Sequence, residues 1–107
     1  MSALVLDVSN NNTIGTTMLR RSGAVALIAK ATQGTVYRDP TYSAHRAVAK
    51  AVGVPFGGYT YLMPNSAGNE AQWFLDFAQP HRGDLQPVVD VGQGCYSAPA
   101  RCLYHAR

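Results

Sequence analysis

Ala24-Val25-Ala26-Leu27-Ile28-Ala29-Lys30-Ala31, followed by Thr32-Gln33-Gly34-Thr35, decides how the chain folds. The first eight residues are apolar apart from Lys30, with no alternation. A strand with one wet face alternates; a strand covered on both faces does not. The run therefore reads as a buried strand, and Thr32 to Thr35 as its loop. Working outward, Leu4-Val5-Leu6-Asp7-Val8, Val54-Pro55-Phe56-Gly57-Gly58-Tyr59-Thr60-Tyr61-Leu62 and Pro87-Val88-Val89-Asp90-Val91 read the same way. Helical stretches separate them. Thr13 is placed to cap a helix to about Arg21, stopped by Ser22-Gly23. From Pro40 to Val52, Tyr42, Ala44, Val48, Ala49 and Val52 recur at helical spacing, and Gly53 ends the run. Pro64-Asn65-Ser66 opens a third helix with Glu70 early, an apolar face of Trp73, Phe74 and Phe77, and Pro80 at its end. His45, on the second helix, and His81, in a turn, read as surface residues. The order βαβαβαβ predicts an α/β fold: a parallel sheet covered by helices, with right-handed crossovers.

The chain has 107 residues, of which 47% are hydrophobic and 14% charged. That length is one domain's worth, and that hydrophobic fraction argues against disorder. The charged fraction lies well under the usual quarter, which points to surface buried against another copy of the chain. No run approaches the roughly 18 apolar residues of a membrane span. Met1-Ser2-Ala3-Leu4 places no basic segment before its apolar run, so no secretory signal is expected and the chain is cytoplasmic as made. The net charge of +3 is too small to argue for nucleic acid. It is also uneven: residues 93–107 hold Arg101 and Arg107 and no acid. Cys95, Cys102 and His105 lie there too, at a spacing that is not a standard zinc pattern and lacks a fourth ligand. A disulfide or free thiols fit better, and neither metal nor cofactor is expected. No Ser-His-Asp arrangement, phosphate loop or dinucleotide fingerprint is present.

In parallel α/β folds the working residues sit at the C-terminal ends of strands. Those ends carry Asp7, Ser9 and Asn10; Lys30, Thr32 and Gln33; Tyr59 and Tyr61; and Asp90. Two carboxylates, two phenols and an ammonium converging on one mouth suit a sugar site. Blander roles stand beside this one. Asp7 could cap a loop or pair with Lys30, the tyrosines could be packing residues, and Asp90 could accept backbone N–H bonds.

Taken in order, several stretches resemble the glycoside hydrolase family 25 lysozymes, the muramidases of bacteria and their phages. They are Leu6-Asp7-Val8-Ser9, Ile28 to Thr35, Asp39-Pro40, Val54 to Tyr61, Ala71-Gln72-Trp73-Phe74-Leu75 and Pro87 to Val91. The resemblance covers residues 3 to about 91 and implies a TIM-like barrel that cleaves peptidoglycan glycan strands. It matches Asp7 and Asp90 to the family's catalytic aspartates. Tyr59 or Tyr61 matches its active-site aromatics, and Gln33 stands where many members have Glu. The family's Asp-x-Glu motif would place its proton donor at Gly92, which cannot donate. Inherited activity should then be badly impaired or altered.

A whole barrel has eight strands and typically about 250 residues; this chain supplies four strands. The expected organisation is therefore a half-barrel, residues 1–91, followed by a basic, Cys-containing tail, residues 92–107. A truncation or frame change at that point would account for the break. Two open edges and an inner face with Val5, Ala29 and Val89 among its candidates call for self-association, most simply a homodimer. The sequence thus predicts a truncated lysozyme-like glycosidase with Asp7 and Asp90 catalytic and Lys30, Gln33, Tyr59, Tyr61 and Asn10 binding a cell-wall glycan. It leaves open a non-catalytic sugar- or wall-binding module, and an oligomer with a new hydrolytic activity.

Overall fold

The computed structural model describes residues 3–63 and 67–91. Gly92, Cys95, Cys102 and His105 lie outside them, as do Pro64-Asn65-Ser66. The elements run β1 (Val5–Val8), α1 (Thr16–Ser22), β2 (Ala26–Gln33), β3 (Tyr37–Arg38), α2 (Tyr42–Val52), β4 (Phe56–Leu62), α3 (Ala67–Ala78) and β5 (Val88–Val91). Four strands pair in the order β1-β2-β4-β5, every pairing among them parallel. This is the half-barrel that the apolar runs predict.

One strand was not legible. β3 is two residues long and pairs antiparallel with the end of β2, Thr32 opposite Arg38 and Gln33 opposite Tyr37. Consequently Thr32 and Gln33, expected in a loop, belong to β2. Gly34 makes the turn between the strands at a φ of 61°, a conformation that suits glycine. Trp73 Nε1 donates to the Tyr37 carbonyl at 3.0 Å, and the Arg38 guanidinium lies 4.1 Å from the Trp73 ring centroid. These contacts from α3 hold a strand too short to read from alternation.

Strand periodicity sorts the side chains onto two faces. Val8, Leu27, Ala29 and Phe56 join Leu19, Tyr42, Ala49, Phe74 and Ala78 in the core between sheet and helices. Within this layer Thr32 Oγ1 donates to Thr60 Oγ1 at 2.9 Å, so two buried hydroxyls satisfy each other. Val5, Ala26, Ile28 and Val88 take the other parity and, with Leu85 and Gln86, line an open cavity of about 270 Å³. Of the three inner-face candidates, Val5 is therefore correct and two are corrected. Ala29 is fully buried against the helices, and Val89 pairs with the buried Thr60, on the helix-facing side.

The helices carry further corrections. α1 begins at Thr16 behind Gly15, which makes no side-chain cap, rather than behind Thr13. Its end is as expected, with Gly23 left-handed and its N–H on the Arg20 carbonyl. On α2 the buried residues are Tyr42, His45 and Ala49, while Ala44 is exposed. The packed stripe thus passes through His45, not Ala44.

Candidate functional site

Parallel pairing places Asp7 level with Ile28, Lys30 with Tyr59, and Tyr61 with both Gln33 and Asp90. Paired residues share a face, so Asp7, Lys30, Gln33, Tyr59, Tyr61 and Asp90 all point to the inner side. They reach that side together because of a register shift between Lys30 and Thr32. Without it, Gln33 would face the helices. Asp7, Gln33, Tyr61 and Asp90 lie toward the C-terminal ends of their strands and Lys30 and Tyr59 nearer mid-strand, on the same face as the apolar cavity. Asp7 is exposed, Tyr59 is buried, and the other four are half-buried. Asn10 is exposed in the turn that follows β1.

Lys30 is the centre of this face. Its ammonium donates to Gln33 Oε1 at 2.5 Å. It also sits 5.2 Å from the Tyr37 ring centroid and 5.3 Å from that of Tyr61, at cation–π distance. Burial lowers the Lys30 pKa, while the carboxylates of Asp39 and Asp90 favour the charged form. Burial pushes the Tyr59 phenol far up, and Asp7, Asp90 and Asp39 push it the same way. Tyr59 is thus a neutral donor at neutral pH, suited to a sugar hydroxyl or acetamide oxygen. The face combines acids, amides, phenols and one ammonium, the mixture that orients a polyol.

Two groups behind this face escaped the sequence reading. Asp39 is fully buried. Its Oδ2 accepts the Asn10 N–H at 2.9 Å, and its Oδ1 accepts the Thr41 N–H at 2.8 Å and the Thr41 hydroxyl at 2.5 Å. An Asp-Pro-Thr run just before a helix was the available signal. His45, read as a surface residue, is 1% exposed. Its pKa is lowered by burial, against the pull of the Asp39 carboxylate and the Asn12 backbone.

Against known proteins, residues 6–102 match the sequence profile of Glycosyl hydrolases family 25. The chain belongs to glycosyl hydrolase family 25. The match runs past Val91, the expected end of the resemblance. The autolytic lysozyme of Clostridium acetobutylicum is 30% identical over 83 residues, which are 78% of this chain and 26% of that protein. A muramidase structure from Trichobolus zukalii superposes with a TM-score of 0.74 at 26% identity, covering 94% of this chain and 54% of that one. The bacterial lysozyme from Streptomyces coelicolor gives 0.75 at 23% identity, covering 98% and 55%. The chain thus spans about a quarter of the curated relative and about half of these two solved structures. Among the described residues, no helix is long and apolar enough to cross a membrane.

Proposed function

We propose that this family 25 half-barrel binds a peptidoglycan-type glycan across its inner mouth and retains weak, altered glycosidase chemistry. The observation that carries this reading is the convergence of Asp7, Lys30, Gln33, Tyr59, Tyr61 and Asp90 on one face of the sheet. In this reading Asp7 and Asp90 are the catalytic carboxylates. Asp90 steadies positive charge developing on the sugar or orients its acetamide. Lys30, Gln33, Tyr59, Tyr61 and Asn10 hold the strand.

Residues 1–91 form the catalytic half-barrel, and the basic stretch 92–107 follows it. Gly92 stands where the family motif puts the acid, so protonation of the leaving sugar is the missing step. Glycoside cleavage depends on such a donor. The half-barrel closes by pairing with a second copy, which covers the apolar inner cavity.

Clearing of a cell-wall suspension tests the chemistry. The Gly92→Glu variant is expected to clear faster by about 10²–10⁴-fold, the usual worth of general acid catalysis. No gain from Gly92→Glu, together with unchanged clearing in Asp90→Asn, would overturn the catalytic assignment. Wall pull-down without any clearing would leave a glycan-binding module.

A further inference from the structure

The turn after β1 is held together by short-range bonds. Asn12 N–H donates to the Ser9 carbonyl at 3.1 Å. Ser9 N–H donates to Asn12 Oδ1 at 2.7 Å, and Asn11 N–H to Ser9 Oγ at 3.2 Å. These bonds shape the turn locally. Asp39, 29 positions away, reaches it from elsewhere: its Oδ2 takes the Asn10 N–H at 2.9 Å. The other oxygen, Oδ1, is committed to Thr41 at the start of α2. The Asp39 backbone N–H is fixed on the Ala31 carbonyl of β2 at 2.8 Å. The carboxylate is therefore immobile on both sides, and no water competes for it at 0% exposure. Bonds from a neutral N–H to a buried carboxylate are among the stronger ones a protein makes.

We propose that Asp39 is a positioning residue for the glycan site: its buried carboxylate fixes the Ser9–Asn12 turn, and with it Asn10, at the mouth beside Asp7. The proposal rests on the glycan reading for what the turn is positioned toward, but not for the tether itself. The same carboxylate also acts on Lys30 and Tyr59, favouring the ammonium and the protonated phenol. One buried carboxylate thereby acts on both the backbone and the ionisable groups of the mouth, where burial is the larger influence.

Amide hydrogen exchange, resolved by NMR on the full chain, tests the tether, with chitotriose as the binding probe. In Asp39→Asn the one remaining acceptor oxygen stays with the two Thr41 donors that hold Oδ1, the amide nitrogen replaces Oδ2, and the Asn10 N–H loses its acceptor. The Asn10 amide should exchange about tenfold faster or more, and chitotriose should bind about tenfold more weakly. Thr41→Val removes a bond to Oδ1 and leaves the Asn10 bond in place. It should loosen the first turn of α2 while the Asn10 amide and chitotriose affinity stay unchanged. An Asn10 amide that exchanges in Asp39→Asn as in the parent overturns the proposal. So does a Thr41→Val variant that loosens Asn10 equally, since that marks a general loss of stability. If the parent binds no chitotriose, the glycan reading fails, and the Asn10 amide alone still decides the tether.

Discussion

At the residue scale, His45 is a buried imidazole whose pKa is lowered by that burial against the pull of Asp39 and the Asn12 backbone. The unfolded chain therefore takes up a proton near pH 6.5 that the folded chain resists. Stability should fall as pH drops through 6.5 toward the lower folded value, each unit of difference being worth about 1.4 kcal/mol. His45→Leu should flatten that part of the pH profile and cost little at pH 7.5, measured by urea unfolding. An equally steep profile in the variant would count against this role.

Lys30 follows the same sign. Its burial cost is present below the folded pKa and is relieved as pH rises toward 10.5. Asp90→Asn removes a charge that favours the ammonium, so the Lys30 pKa should fall further, read from the Cε resonance. An unmoved resonance would separate Asp90 from Lys30. The residue types at the mouth were legible because strand ends announce themselves. The burial of His45 was not, because Ala44 fits the helical stripe as well as its neighbour does.

At the element scale, β4 is set by its glycine pair. A Cβ on Gly57 would lie 2.9 Å from Leu85 Cβ on the inner side. One on Gly58 would lie 3.0 Å from the Tyr42 hydroxyl and 3.1 Å from the same ring on the helix side. Tyr42 cannot give way easily. Its hydroxyl donates to the Ala78 carbonyl at 3.1 Å and accepts from Arg46 Nη2 at 2.7 Å. Gly58→Ala should therefore destabilise by about 1–3 kcal/mol, the usual cost of overpacking, and thermal unfolding would show it. Loss of less than about 0.5 kcal/mol would mean that Tyr42 moves freely. The four parallel strands could be read from unbroken apolar runs. β3 could not, because two residues carry no period and the strand exists through its contacts with β2 and Trp73.

At the scale of the whole molecule, the helix side of the sheet is closed and the inner side is open. Val5, Ile28 and Val88 are half-buried around a cavity of about 270 Å³, and β1 and β5 end the sheet among the described residues. If a second copy covers this face, sedimentation should give a dimer mass, and Ile28→Glu should shift it to monomer. A monodisperse monomer for the parent chain would end the self-association reading.

The order of the four parallel strands and the helices between them, and the residue types at the strand ends, were determined by sequence alone, because periodicity and strand-end chemistry are local properties. The tertiary structure decided which candidates share a face. One register shift after Lys30 turns Gln33 inward, and parity sends Ala29 and Val89 to the helix side. It also decided that Asp39 and His45 are buried, since burial depends on what packs over a residue from distant parts of the chain.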